Sequence, residues 1–262
     1  MTVIGDTKFL ITGSRSGLGK YLFNRFGGFE WHRGTPEETI REAEAYASTV
    51  IIHCAFNSNL SLATENLYQY ISDNLLFTQR LVSIPHDKLI FVSTVDVYPK
   101  DGSTHTEEEI INPDEVGNIY GVTKLMSEAI VNDQCENPII LRCSALLGND
   151  SRPNSLSRML SEKSKKLTLT SDSSFNYLLH NDLGDFVDQA VRSDLSGIFN
   201  LVSTENVTLD KLSSDLDLTP EYGSYRYDVG DITNEKAVSI FKQIDRTSLE
   251  VVEHYLATKN NS

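Results

Sequence analysis

Tyr120 and Lys124 stand four residues apart in the segment YGVTK, a spacing that sets both side chains on one helix face, one turn apart. A phenol with an ordinary pKa of about 10 is a poor base at neutral pH, and an ammonium beside it favours the phenolate. Such a pair could exchange a proton with a substrate oxygen. The spacing alone is cheap, because Tyr255 and Lys259 repeat it. Context separates the two pairs: Tyr120 follows the Ser93-Thr94 end of the apolar run KLIFVS by 26 residues, whereas Tyr255 sits beside a polar tail. The hydroxyl of Thr94 could orient the substrate oxygen toward the tyrosine. Asp96, two residues further on, is a fourth catalytic candidate. Its carboxylate could remove a proton next to a carbonyl, or it could cap a backbone N–H of its own loop.

The segment Thr12-Gly-Ser-Arg-Ser-Gly-Leu-Gly19 lies directly after the apolar run KFLIT and opens an amphipathic stretch. Strand, glycine loop and helix in that order build a phosphate cradle. Lacking Cβ atoms, Gly13, Gly17 and Gly19 let backbone N–H groups approach a pyrophosphate, and the following helix adds its positive end. Arg15, Ser16 and Leu18 belong to the same loop. In sheets of this kind the residue about 20 positions past the first glycine meets the adenosine ribose, and here it is Arg33. Arg15 and Arg33 could flank one 2′-phosphate with bidentate geometry, which favours NADP(H). NAD(H) stays open, since both arginines could be solvated and Glu30 could read the 2′-hydroxyl instead. With such a cofactor, hydride would pass between the nicotinamide and the substrate carbon whose oxygen faces Tyr120.

These residues need a scaffold, and the periodicity supplies one. Short β-branched runs alternate with helical patterns over the first 150 residues, the signature of a parallel sheet with crossover helices. Strands are expected at Lys8 to Thr12, Phe29 to Arg33, Thr49 to Ala55, Lys88 to Ser93, Pro138 to Ser144 and Gly197 to Val202. Helices are expected at Lys20 to Phe26, from Pro36 to Ala47, from about Thr64 to Val82, at Ile119 to Val131 and at Arg246 to Thr258. The predicted class is α/β, a Rossmann-like doubly wound parallel sheet with a small C-terminal substrate lobe. Residues 1–148, with 176–202 returning to them, would form the dinucleotide-binding domain. Residues 149–175 and 203–262 would form the lobe.

The chain has 262 residues, 39% of them hydrophobic and 23% charged, which fits a globular fold and excludes collagen-like or wholly disordered classes. A net charge of −14 argues against a nucleic-acid polymer as partner. Cys54, Cys135 and Cys143 form no C-x-x-C, so free thiols in a reducing compartment are expected and no metal site is. No apolar run is long enough for a membrane helix, and Asp6, Lys8, Arg15 and Lys20 interrupt any signal-peptide pattern. A cytoplasmic location is the expectation.

The motifs TGSRSGLG, FVSTVDVYP and YGVTK, in this order, resemble the short-chain dehydrogenase/reductase superfamily, most closely its extended branch of nucleotide-sugar epimerases, dehydratases and 4-keto reductases. The likeness runs along most of the chain. VIIHCA (Val50 to Ala55) resembles the strand before the active site, and ILRCSALLG (Ile140 to Gly148) the strand leading to the substrate lobe. NYLLHNDLGDFV (Asn176 to Val187) resembles the segment returning from that lobe, and GIFNLVSTENVTLDKL (Gly197 to Leu212) the late strand and helix. The resemblance implies catalysis by Thr94, Tyr120 and Lys124, with Lys124 also on the nicotinamide ribose. It implies a cofactor site including Gly13, Arg15, Ser16, Gly17, Leu18, Gly19, Arg33, Ala55, Tyr120 and Lys124. The implied activity is reduction or epimerisation of a nucleotide-activated keto- or deoxy-sugar for surface polysaccharide, and a homodimer is compatible with it.

Four departures matter. The spacing G-x-x-x-G-x-G resembles the compact branch of the superfamily. Only one helix lies between Arg33 and Thr49, so a βα unit of the extended branch is shortened or lost, as in small 4-keto-sugar reductases. The arginine that in epimerases precedes the Asn176-Tyr177 segment and grips the sugar nucleotide's phosphates is Phe175 here, so Arg226, Arg152 or Arg158 would have to replace it. The adjacent Asp-Glu pair of dehydratases is Val95-Asp96, which counts against a dehydratase; at the position of Asp96 a related epimerase-reductase carries a catalytic cysteine. A non-catalytic dinucleotide-sensing protein on the same fold is the remaining alternative, and the Tyr120-Lys124 pair argues against it.

Overall fold

The computed structural model describes residues 7–32, 39–161 and 166–259. Six short strands form one parallel sheet: β1 (Phe9–Thr12), β2 (Phe29–Trp31), β3 (Val50–His53), β4 (Lys88–Thr94), β5 (Ile139–Cys143) and β6 (Gly197–Leu201), in the spatial order β2-β1-β3-β4-β5-β6. Apolar residues run without a break along these strands because both faces are covered. Side chains alternate between the faces, as the strand period of two requires. On one side Phe9, Ile11, Val50, Ile52, Ile90 and Val92 pack against α1 (Gly17–Phe26) and a later helix through Leu183 and Phe186. On the other, Leu10, Ile51, Leu89 and Phe91 meet Ala43, Leu81 and Val131 of helices on the opposite layer. The fold is therefore a doubly wound, Rossmann-like α/β sheet.

The remaining helices used below are α2 (Thr39–Tyr46), α3 (Ile119–Gln134), α4 (His180–Arg192), α5 (Glu235–Ile240) and α6 (Ser248–Lys259). A smaller core of Leu156, Met159, Tyr177, Leu179, Val207, Leu212, Val251 and Val252 builds the C-terminal lobe. Packing assigns two segments otherwise than sequence boundaries do. Tyr177 and Leu179 belong to the lobe core, while Ala237 and Phe241 join the main sheet core.

The expected strand Phe29 to Arg33 ends at Trp31, and Arg33 and Pro36 lie outside the described residues. The single helix expected from Thr64 to Val82 is instead segmented, with pieces at Leu60–Glu65, Leu67–Ile71, a π-helical turn at Ser72–Leu76 and Phe77–Val82. Asn66 interrupts it because its side chain accepts the Gln69 N–H and restarts the helix as an N-cap. The π turn presents Asn74 to the loop after β3, where its side chain accepts the Asn57 N–H at 2.7 Å and donates to the Asn57 carbonyl at 3.1 Å. The expected helix from Arg246 to Thr258 forms as α6, preceded by α5 and a short 3-10 turn at Lys242–Ile244.

Candidate active site

The chain reverses its lateral direction between β1 and β3, so a crevice opens at the C-terminal ends of these two strands. Five hydrogen bonds fix its floor. Thr12 Oγ1 accepts the N–H groups of Cys54 and Ala55 at 3.0 and 2.9 Å and lies 3.0 Å from His53 Nδ1. His53 Nε2 lies 3.0 Å from Thr78 Oγ1, which itself donates to the Asn74 carbonyl. The donors therefore assign themselves: Thr12 O–H gives to Nδ1, and Nε2–H gives to Thr78. Burial, with Lys124 as a second cause, pushes the pKa of His53 down to about 3, so this imidazole is a neutral strut.

Gly13 turns the chain out of β1 at φ +72°, and a Cβ there would stand 3.1 Å from the Ala55 nitrogen. A Cβ at Gly19 would collide with the Gly13 carbonyl, so glycine lets α1 seat its first turn on the loop. That first turn carries no acidic side chain, leaving the helix N-terminus for an external anion. Gly13, Ser16, Gly17, Leu18 and Gly19 line a cleft of about 340 Å³, together with Ala55, Thr94, Tyr120 and Lys124. Those nine residues singled out in the sequence thus surround one space, while Arg15 does not line it. Ser144 and His180 line it too, and both are buried with an unpartnered polar atom, Ser144 Oγ and His180 Nδ1. The glycine cradle and the acid-free start of α1 fit the pyrophosphate of a dinucleotide.

Within the cleft the Lys124 ammonium donates to the Val92 carbonyl at 2.6 Å and lies 3.9 Å from the centroid of the Phe56 ring and 6.0 Å from that of Tyr120. Burial draws its pKa down to about 7. The Tyr120 phenol is pushed above its ordinary value, first by burial and then by the charge of Asp96, with Arg152 opposing. Desolvation is thus the largest influence on this phenol. Thr94 Oγ1 accepts the Asp96 N–H at 3.2 Å, which leaves its own proton free to donate.

Asp96 is not among the residues that line the cleft. Its carboxylate accepts the Tyr227 hydroxyl at 2.9 Å and has Lys100 Nζ at 3.9 Å. Arg15 is exposed and lies 3.5 Å from Glu30, so the two residues weighed for the adenosine ribose face each other. The second Tyr-Lys pair belongs elsewhere: Tyr255 packs against the lobe core on α6.

One feature escaped the sequence reading. Glu128 lies one turn beyond Lys124 on α3 and forms a buried ion pair with Arg142 of β5, at 2.8 Å, while also accepting the Ser93 hydroxyl. Arg142 donates in addition to the Tyr98 hydroxyl at 2.9 Å. The i, i+4 spacing of Lys124 and Glu128 was the available signal. This ion pair bolts the helix of Tyr120 to the centre of the sheet.

Residues 29–200 match the NAD dependent epimerase/dehydratase family, and the chain belongs to it. The matched stretch starts beyond the glycine loop. UDP-glucose 4-epimerase of Mycoplasma genitalium is 30% identical over 94 residues, a match spanning 34% of this chain and 28% of that protein. Among solved structures, dTDP-4-dehydrorhamnose reductase from Bacillus anthracis in complex with NADP superposes with a TM-score of 0.79 at 17% identity, over 97% of this chain and 100% of that one. UDP-glucuronic acid 4-epimerase from Bacillus cereus, in complex with UDP-glucuronic acid and NAD, gives a TM-score of 0.75 at 17% identity, over 96% and 99% of the two chains. At such identities the likeness speaks for the fold, and the family match places the chain among NAD dependent epimerases and dehydratases. No described helix is long and apolar enough to cross a membrane.

Proposed function

We propose that this enzyme reduces a keto-sugar linked to a nucleoside diphosphate, with NADPH as the hydride source. The observation that carries the reading is geometric: Thr94, Tyr120 and Lys124 line one cleft with the glycine cradle, and Asp96 does not line it. A phenol is a proton donor, as reduction of a carbonyl demands.

When bound, the nicotinamide supplies hydride to the carbonyl carbon. The chain's own groups do the rest. The free proton of Thr94 Oγ1 holds the carbonyl oxygen, and Tyr120 delivers a proton to it as negative charge develops. Lys124, with a pKa near neutrality, shares its charge with that oxygen through the phenol and holds the ribose end of the cofactor. Phe56, stacked edge-on against Tyr120 at 5.7 Å, keeps water from the ring. Asp96 takes no part, its carboxylate being tied to Tyr227 and Lys100 outside the cleft, which counts against dehydration. Arg15, and with it Arg33, supports the choice of NADPH over NADH. The setting implied by the sequence resemblance is surface-polysaccharide synthesis.

The test is oxidation of NADPH and of NADH in the presence of dTDP- and UDP-linked 4-keto-sugars, followed by nicotinamide absorbance. Turnover that consumes NADPH is expected, and Tyr120→Phe should remove nearly all of it while leaving NADPH affinity within about threefold. Normal turnover by Tyr120→Phe would sink the mechanism. Inversion of a UDP-sugar with no net change in the nicotinamide would establish epimerisation instead.

A further inference from the structure

No carboxylate stands at ion-pair distance from the Lys124 ammonium among the described residues. Glu128, one turn along α3, is spent on Arg142, and the ammonium donates to a neutral group, the Val92 carbonyl, at 2.6 Å. The side chain is buried, and burial favours the neutral amine. What surrounds the nitrogen is aromatic: the Phe56 centroid lies 3.9 Å from Nζ, the Phe91 centroid 4.7 Å and the Tyr120 centroid 6.0 Å. A ring face attracts a cation and does nothing comparable for a neutral amine, so these rings oppose what burial does.

Phe91 belongs to β4 and Tyr120 to α3, but Phe56 comes from the loop after β3 and is held from both sides. On one side the Ala55 N–H donates to Thr12 Oγ1 at 2.9 Å. On the other, Asn57 donates its N–H to Asn74 Oδ1 and its side-chain amide to Asp73 Oδ2, both at 2.7 Å, while its carbonyl accepts from Asn74 Nδ2. Asp73 and Asn74 lie on the π-helical turn at Ser72–Leu76. Such turns recur at functional sites, and this one fixes the backbone on which Phe56 stands. The buried ring then presents its face to Lys124 and makes a T-shaped contact with Tyr120, with centroids 5.7 Å apart and planes at 83°.

We propose that Phe56 is a positioning residue of the reaction: its ring face keeps the Lys124 ammonium charged and in place beside Tyr120. Its part in turnover rests on the reading of the cleft as a site of reduction, in which that charge assists the phenol; the contact with Lys124 does not. A leucine of similar bulk would fill the same space, so packing alone does not call for a ring here. The other charged or titratable groups that act on or beside Lys124 are Cys54, Cys143, Glu128, Arg152 and His53. None of them replaces the ring. Burial raises both thiols and keeps His53 neutral, Arg152 opposes the ammonium, and Glu128 is shared with Arg142.

The test compares the unsubstituted protein with Phe56→Leu, Phe56→Tyr and a protein carrying pentafluorophenylalanine in place of Phe56, a ring of similar shape whose face repels a cation. The Cε resonance of Lys124, followed by NMR across pH in labelled protein, reports its charge without any substrate. Removing or reversing the ring face should lower the midpoint of Lys124 by about one pH unit, and Phe56→Tyr should keep it within about a third of a unit. In turnover with NADPH and a nucleotide-linked 4-keto-sugar, the loss of kcat in Phe56→Leu should be small on the acidic side of that midpoint and grow to about tenfold on the alkaline side. An unmoved midpoint in the fluorinated protein and in Phe56→Leu overturns the proposal. So does a loss of kcat that is the same at every pH, which is the mark of packing alone. A shifted midpoint in a protein that reduces no keto-sugar supports the contact and sinks the reductive reading, so the two failures are told apart. Should Phe56→Leu not fold, the fluorinated protein and Phe56→Tyr decide the question between them.

Discussion

Lys124→Met should make the protein more stable and inactive at once, and the size of the gain can be worked out. The side chain is 3% exposed, and burial draws its pKa from 10.5 to about 7. At 1.36 kcal/mol per pKa unit, holding the ammonium there costs roughly 5 kcal/mol of stability. Methionine keeps the apolar stem against Phe56 and Phe91 but gives up the hydrogen bond to Val92, worth about 1 kcal/mol, and the ring contacts, worth about 2 kcal/mol when desolvated. A net gain of about 2 kcal/mol is expected below pH 7. The native lysine releases its proton near pH 7 and the unfolded one at 10.5, so between these values the unfolded chain binds more protons and the unsubstituted protein gains stability as pH rises. Methionine does not titrate, so its advantage should be largest below pH 7 and fade as pH climbs toward 10.5. Urea unfolding at about pH 6 and about pH 9.5, with turnover measured on the same samples, checks both halves. A variant less stable at the lower pH, or a difference that does not change with pH, would refute the reasoning. A gain in stability paired with lost turnover is the mark of a group kept for chemistry.

Two further outcomes follow from ion pairs. Glu128→Gln leaves the Arg142 guanidinium buried with only neutral partners and should cost about 3–5 kcal/mol in urea unfolding; a loss under about 1 kcal/mol would mean that water reaches the pair. Glu30→Gln removes the partner of Arg15, and because both are exposed the effect should be a few-fold at most, tighter NADPH and weaker NADH in paired fluorescence titrations.

Much of the fold was legible because a parallel sheet covered on both faces writes itself as unbroken apolar runs. KFLIT, VIIH, KLIFVS and IILRC carry their strands in their composition, and in each the structure places alternate residues on opposite helical layers. The errors fall where a side chain overrides the local pattern. Nothing in the periodicity from Leu60 to Val82 announces that Asn66 caps a new helix or that a π turn aims Asn74 at Asn57, since those choices answer to partners outside the helix. Arg142 is buried on β5 because Glu128 lies 14 residues away on α3. The lobe was the least legible part, because its core joins Leu156, Tyr177, Val207 and Val252, which are far apart in sequence and separated by elements of the main sheet layer.

The candidate site divides along the same line. Thr94, Tyr120, Lys124 and the glycines were readable because each owes its place to a strand end or a helix start, local features with fixed geometry. Asp96 shares its strand end with Thr94, and from that alone it belongs in the cleft. What removes it is Tyr227, 131 residues later, whose hydroxyl takes the carboxylate toward the lobe, with Lys100 behind it. That contact joins the loop after β4 to the segment around Tyr227, outside the residues that line the cleft. Tyr120 and Lys124 then share a cleft that no carboxylate lines among the described residues, an arrangement in keeping with the proposed addition of hydride and a proton to a carbonyl.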